Sequence, residues 1–326
     1  MKTAYFAGGC FWCIEPIFAM QKGVKKVVAG YCGNDPREIT YLEVKKGDTP
    51  FREAIKITYD EEIISFEKLL QIFVNNVDLF NKEGQFIDQG FNYTLCLYYE
   101  DATELQIIHK ILDKMINKYQ RTIYLSVEPF KHFVLAEANH QHLYLKNNPK
   151  YLEELVASGR NIPIASKEGS TILIDYHTPN TPVYLKELEK LLKEKGFKVI
   201  LHGTDRSIMK EEGLLEEVAS LDFDVIVIDL PYNQLINLFN KYDKGQNNFA
   251  RSLMRLLAIK DVSIVILEPF ISDELYTEQI NEQLLLIKEV AVSLELGYVG
   301  FKNLYLKTPL DAAVLVSENI IVGDQA

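Results

Sequence analysis

Gly8-Gly9-Cys10-Phe11-Trp12-Cys13-Ile14-Glu15 follows the short apolar run Tyr5-Phe6-Ala7 and opens a segment whose Phe11, Ile14, Ile17 and Phe18 recur at helical spacing. The stretch reads as a strand end, a two-glycine turn and a helix start. Such a turn delivers the Cys10 thiol to a place where unpaired backbone N–H groups and the positive end of the helix dipole favour thiolate. Cys10 is therefore the expected nucleophile. Cys13 lies one turn on along the same helical face, within disulfide reach if the helix yields slightly. A zinc site would need a second ligand pair. Cys32 and Cys96, the remaining cysteines, are single, and His140 and His142 sit in a different segment, so no metal is expected.

Working outward, Val24 to Ala29 reads as a strand ending at Gly30, and Glu53 to Tyr59 as another. A helix begins after Ser65, with Phe66, Leu69, Leu70 and Phe73 on one face. Thr94 to Tyr99 and Thr122 to Val127 are strands on either side of a helix from Ala102 to Tyr119. Strands and helices mixed in this order predict an α+β two-layer domain over residues 1–158. Gly159 to Gly169, polar and broken by a proline, is the expected linker.

Beyond it the pattern becomes a regular alternation. Strands are expected at Thr171 to Asp175, Lys198 to Leu201, Asp224 to Leu230 and Ser263 to Leu267. Helices are expected at Val183 to Lys195, Met209 to Leu221, Phe249 to Leu257 and Ile280 to Leu296. Near-continuous Val, Ile and Leu in these strands implies burial on both faces, hence an α/β doubly wound parallel-sheet domain over residues 170–326.

The 326 residues carry 48% hydrophobic and 25% charged side chains, a globular composition. A formal charge of −11 argues against nucleic acid or an anionic membrane surface as partner. Apolar runs such as Val225 to Leu230 are strand-length, far short of a membrane span. Only nine residues precede Cys10, too few for a lipoprotein leader, so a cytoplasmic protein is expected. In that reducing compartment the four cysteines, all before residue 97, are catalytic or buried rather than structural disulfides.

Several ungapped blocks carry a resemblance over about residues 3 to 155. They are Gly8 to Glu15, Gly30-Tyr31-Cys32-Gly33, Thr40-Tyr41, and Gly47-Asp48-Thr49 with Glu53-Ala54. Asp88-Gln89-Gly90-Phe91-Asn92-Tyr93, and Ala136-Glu137 with His140-Gln141 and Tyr144, complete them. Together they resemble the methionine sulfoxide reductase A family. That resemblance implies reduction of the S epimer of methionine sulfoxide, free or in peptides and proteins, without metal or organic cofactor. It implies that Cys10 attacks the sulfoxide sulfur, that Tyr41, Glu53 and Tyr93 hold the sulfoxide oxygen, and that Asp88 organises the site.

The residue types suit this chemistry. A sulfoxide sulfur becomes electrophilic when its oxygen is protonated or strongly hydrogen-bonded, and a carboxyl in an apolar, tyrosine-rich pocket stays protonated near neutral pH. Glu53 is the expected acid, Tyr41 and Tyr93 neutral donors, and Phe11 with Trp12 an apolar wall for the substrate S-methyl group. The resulting Cys10 sulfenic acid needs a second thiol to form a disulfide that thioredoxin or a small dithiol reduces. The segment after Tyr144 holds no cysteine. Cys13 is the first choice as resolving thiol, and Cys32 the second, because Gly30 and Gly33 would let its loop move. Cys96, alternating with Leu95 and Leu97, reads as core.

Departures from the family pattern cluster around these residues. Phe51 and Arg52 stand where His and Ala are common, Val77-Asp78-Leu79 replaces His-Asp-Pro, and Phe91, Asn92 and Thr94 replace Thr, Gln and Arg around Tyr93. They are expected at the pocket rim.

The second half distantly resembles SGNH-type hydrolases in its strand order, with Gly203 after one strand and Leu230-Pro231-Tyr232-Asn233 after another. Its first block, Ile174-Asp175-Tyr176-His177-Thr178, lacks the serine, and Asp311-Ala312-Ala313-Val314 lacks the closing histidine. Without nucleophile or base it cannot run acyl transfer, so a noncatalytic domain is expected. A different class of function, an oxidised-peptide sensor whose C-terminal domain carries a separate binding or hydrolase role, stands as the alternative.

Overall fold

A computed structural model describes residues 1–146, 149–158, 160–178, 180–204, 212–230, 232, 248–270, 277–301 and 308–322. Gly159, Pro231, Asn233 and the first residues of the helix expected from Met209 lie outside these. The chain divides into two compact units, Met1–Arg160 and Asn161–Ala326.

The strands of the first unit are β1 (Lys2–Ala7), β2 (Val24–Gly33), β3 (Phe51–Tyr59), β4 (Gly84–Gln85), β5 (Asp88–Gln89), β6 (Leu95–Tyr99), β7 (Leu125–Pro129) and β8 (His132–Leu135). Six of them form one sheet in the order β7-β6-β1-β3-β2-β8, antiparallel except where β6 meets β7. β4 and β5 make a separate small hairpin. The helices are α1 (Phe11–Ala19), α2 (Tyr41–Lys45), α3 (Phe66–Asn75), α4 (Ala102–Tyr119) and α5 (Pro149–Ala157).

Central position explains the composition of β3. Its Phe51-Arg52-Glu53-Ala54-Ile55 run is buried throughout, with β1 on one side and β2 on the other. α1 lies on β2 and β3 and buries Phe11 through Phe18. α3 starts where Ser65 Oγ accepts the Lys68 N–H at 3.1 Å and buries Phe66, Leu69, Leu70 and Phe73, the expected face.

The structure changes one expectation that bears on function. β2 does not stop at Gly30 but runs to Gly33, pairing Cys32 with Arg52 on β3 and with Phe133 on β8. Cys32 therefore sits inside a sheet and not in a mobile loop. Gly30 is there for close packing: a Cβ would come 2.4 Å from the Val134 carbonyl oxygen and 2.3 Å from the Phe133 ring.

The second unit has the expected α/β form, with β10 (Thr171–Tyr176), β11 (Lys198–Gly203), β12 (Val225–Asp229), β13 (Ser263–Leu267) and β14 (Gly297–Val299) after a short β9 (Ile164–Ser166). The five form a parallel sheet in the order β11-β10-β12-β13-β14. Alternate residues feed two cores. Leu173, Ile226, Ile228, Ile264 and Ile266 pack with helices Asn248–Ile259 and Glu278–Ser293, whereas Ile172, Ile174, Val225, Val227, Val265 and Leu267 pack with Val183–Glu194 and Pro309–Asn319. Helices on both faces make the sheet doubly wound. β9, inside the stretch read as linker, pairs in parallel with β15 (Ile320–Val322). No described helix is long and apolar enough to cross a membrane.

Candidate active site

β1 ends at Ala7, and the Gly8-Gly9 turn brings the chain back over the sheet. Gly9 has φ +82°, and a Cβ there would meet the Arg160 guanidinium at 2.5 Å and Gln85 at 2.6 Å, so both conformation and space call for glycine. Cys10 follows as the N-cap of α1, and all but 3% of it is buried.

The first turn of α1 leaves N–H groups without helical partners. Phe11 N–H donates to Glu53 Oε2 at 3.1 Å across from β3. Glu53 is buried, and that burial pushes its carboxyl up to about 8; the Phe11 N–H pulls the other way, while Asp88 and Glu154 add to the rise. Glu53 is thus an acid that keeps its proton near neutral pH.

The thiols differ from the sequence expectation. The Cys10 side chain hydrogen-bonds Cys13; that bond and burial hold Cys10 well above the ordinary thiol value. The Phe11 N–H, a donor that a Cys10 thiolate would need, is taken by Glu53. Cys13 goes down, through the hydrogen bond it receives from Cys10 and the charge of Arg160. The resting site holds a protonated Cys10 beside a more acidic Cys13. All four cysteines are free and buried.

Tyr41 opens α2, whose start is fixed by a capping box in which Thr40 N–H donates to Glu43 Oε2 at 3.0 Å. Tyr41 N–H donates to Glu137 Oε1 at 2.9 Å, and Tyr31 OH donates to Glu137 Oε2 at 2.9 Å. The Tyr41 ring lies 4.2 Å from His140, and Trp12 stacks on His140 with centroids 5.6 Å apart. Phe11 completes an aromatic box, within 6.5 Å of Tyr41 and 6.1 Å of Trp12. Tyr93 ends a 3-10 turn, Phe91–Tyr93. Burial, followed by the charges of Glu53 and Cys10, pushes the Tyr93 and Tyr41 hydroxyls far up, which keeps both as neutral donors.

Asp88, on β5, is half-buried, and its carboxyl is pushed up to about 6 by burial and by Glu154, against the pull of Arg160. Cys10 Sγ and one oxygen each of Asp88 and Glu154 lie within 4.8 Å of one another. Among the described residues these donors also stand close enough to hold one metal ion.

The structure therefore brings Cys10, Cys13, Glu53, Tyr41, Tyr93, Asp88, Phe11 and Trp12 together and leaves Cys32 out. Along β3, Glu53 points toward α1, so its neighbour Arg52 and the paired Cys32 point to the other face. There Cys32 packs with Tyr5, Ala7, Ala54, Cys96 and Tyr98. Cys96 is core, as expected.

Three residues that depart from the family pattern, Arg52, Phe91 and Thr94, meet around a guanidinium that lies on that face and not at the pocket rim where it was expected. Arg52 Nε donates to Thr94 Oγ1 at 2.8 Å, Nη1 pairs with Glu128 at 2.9 Å, and the guanidinium lies 4.4 Å over the Phe91 ring.

Sequence reasoning missed Glu154 and gave Glu137 and His140 no role. A readable signal existed for Glu154. Tyr151, Glu154, Leu155 and Ser158 share one helical face at i, i+3, i+4 and i+7, and Tyr151, Leu155 and Ser158 are buried.

The family description Peptide methionine sulfoxide reductase matches residues 2–170. The chain belongs to the peptide methionine sulfoxide reductase family. It is an enzyme of that class. The peptide methionine sulfoxide reductase MsrA of Bacillus velezensis is 40% identical over 164 residues, 49% of this chain and 91% of that protein. Reduced Mxr1 from Saccharomyces cerevisiae is 29% identical, covering 46% of this chain and 86% of its own, with a TM-score of 0.43. A putative acylhydrolase from Bacteroides fragilis NCTC 9343 matches 53% of this chain and 93% of its own at 13% identity and a TM-score of 0.33. Every residue of the site lies within the part that the reductase family covers.

The second unit has a separate polar cluster at the carboxyl ends of its strands. Asp175 on β10 is fully buried, with His202 Nδ1 at 2.7 Å and His177 Nε2 at 3.4 Å. Asp229, ending β12, is hydrogen-bonded by Tyr184 and pushed up to about 7 by burial.

Proposed function

We propose that this chain reduces the S epimer of methionine sulfoxide, free or in peptides and proteins, with Cys10 as nucleophile and Glu53 as acid. The observation that carries the reading is a buried carboxyl, protonated to about 8, hydrogen-bonded to the first N–H after the Cys10 thiol. A sulfoxide needs that pairing of acid and nucleophile.

In the first step the Cys10 sulfur attacks the sulfoxide sulfur while Glu53 protonates the sulfoxide oxygen, with Tyr41 and Tyr93 donating to it. Attack forms a bond between the Cys10 and substrate sulfurs as the thiol proton passes to Glu53 in place of the one it gave; the hydroxyl then passes to the Cys10 sulfur as the substrate S–O bond and the S–S bond both break. Methionine leaves reduced, and Cys10 is oxidised to a sulfenic acid. The substrate S-methyl group rests against Phe11 and Trp12, and Asp88 completes the polar side. Cys13 then displaces water to give the Cys10–Cys13 disulfide, which thioredoxin or a small dithiol reduces. No metal or organic cofactor takes part, and the compartment is the cytoplasm. The second unit is read as a noncatalytic, SGNH-like domain following residue 160.

Support for Cys13 over Cys32 comes from their places in the fold, one hydrogen-bonded to Cys10 and the other on the opposite face of the sheet. The test is a single turnover without reductant on stereochemically pure sulfoxides, followed by peptide mapping. The expected result is a Cys10–Cys13 disulfide with the S epimer, no reaction with the R epimer, and complete loss in Cys10→Ser. A Cys10–Cys32 disulfide would refute the resolving assignment. Tight binding of oxidised peptide with negligible turnover would replace the enzyme reading by a sensor.

A further inference from the structure

We propose that Glu154, beside Asp88 and the Cys10 sulfur, is a catalytic residue of the resolving step, protonating the hydroxyl that leaves Cys10 as Cys13 closes the disulfide. The inference rests on the assignment of Cys10 and Cys13 above. It adds a residue from α5, an element with no part in the first step.

Hydroxide is a poor leaving group, so displacement from a sulfenic acid calls for a proton donor at its oxygen. That oxygen lies one S–O bond, about 1.7 Å, beyond Sγ, and an O–H···O bond adds about 2.7 Å. The carboxylate oxygens of Glu154 and Asp88 lie within 4.8 Å of Cys10 Sγ and of each other. They are placed to donate to an oxygen on the sulfur.

Charge supplies the proton. Asp88, half-buried, is driven up by burial and by the neighbouring Glu154, so it holds a proton beside the Glu154 carboxyl. Glu53, by contrast, is tied to the Phe11 N–H and faces the substrate oxygen. Arg160, which donates to the Gly8 carbonyl at 2.6 Å, favours the Cys13 thiolate as the attacking group.

The step balances within the site. The Cys13 S–H bond breaks and its proton passes to the carboxyl pair; the Cys13 sulfur bonds to Cys10 sulfur; the Cys10 S–O bond breaks; the oxygen takes the proton from Glu154 and leaves as water. Cys13 is oxidised and the Cys10 sulfenic sulfur is reduced, with no outside oxidant.

The experiment mixes the full chain with an S-sulfoxide peptide without reductant and follows methionine, the Cys10–Cys13 disulfide, and sulfenic acid trapped by dimedone. In Glu154→Gln, disulfide formation is expected to slow about 100-fold or more. Methionine release slows far less, and dimedone labels Cys10. Glu154→Asp recovers part of the disulfide rate. Disulfide formation at the wild-type rate in Glu154→Gln would overturn the proposal, and so would equal slowing of both steps. Wild-type chain that releases no methionine, or forms no Cys10–Cys13 disulfide, would remove the underlying assignment first and this one with it.

Discussion

Glu53 concentrates the chemistry of the site in one protonation equilibrium. Its folded value of about 8 exceeds the ordinary 4.5. A raised acid binds its proton more tightly in the folded chain than in the unfolded one. Its stabilising contribution is full below the unfolded value and is lost as pH rises through the folded one, a swing of up to about 5 kcal/mol. Glu53→Gln, neutral at every pH, is expected to lack that swing. Its melting temperature relative to wild type should improve between about pH 5 and pH 8.5, whereas reductase turnover, which uses the proton, should fall about 100-fold or more. A melting-temperature difference independent of pH would mean that Glu53 titrates as an ordinary carboxyl. That Cys10, Glu53, Tyr41, Tyr93 and Asp88 would be brought together was legible beforehand, because they stand in short recognisable blocks. Their titration was not. The expected thiolate at the helix start depended on a free N–H that Glu53 already occupies, a contact spanning 42 residues of sequence.

Elements position these residues, and here the sequence was least transparent. Glycines at 30 and 33 read as loop punctuation, yet Gly30 is set by close approach of β8, so Cys32 belongs to a strand. A glycine that permits a turn and a glycine that permits close packing look alike in one sequence. α5 was unread because one buried face of a nine-residue helix is a short pattern, and the carboxyl that matters lies on it. Arg52 shows a further coupling between elements. From β3 it reaches Thr94, Glu128 and the Phe91 ring, gripping both sides of the 3-10 turn that ends in Tyr93. Loss of that grip should loosen Tyr93. Arg52→Ala is expected to cost about 2–4 kcal/mol of stability, since it leaves Glu128 without its partly buried partner. Its kcat should fall roughly tenfold to a hundredfold through misplacement of Tyr93. Arg52→Lys should not rescue either loss, because an ammonium cannot fork between three partners or stack flat on Phe91. Unchanged kcat in a destabilised Arg52→Ala would reduce the guanidinium to a structural tie.

At the scale of the whole molecule, the division of labour follows from where the cores and the reactive groups lie. The parallel sheet of the second unit was legible because its inner strands are near-continuous in Val, Ile and Leu, and that property requires helices on both faces. Its alternate residues do fill two separate cores, one under each layer of helices. The polar cluster of Asp175, His177 and His202 sits at its strand ends and contains no residue of the reductase site. All groups assigned to oxygen transfer and resolution, from Cys10 to Glu154 and Arg160, belong to Met1–Arg160. A compact unit with its own core can fold alone. A chain of residues 1–160 is therefore expected to melt cooperatively and to reduce S-methionine sulfoxide with kcat/KM within about threefold of the full chain, a ratio worth under 1 kcal/mol. Asp175→Asn in the full chain should lower the stability of the second unit and leave turnover where it was. A folded 1–160 chain with turnover lost by a hundredfold would assign part of the reductase chemistry to the second unit, and the same loss in Asp175→Asn would locate that part at its strand ends.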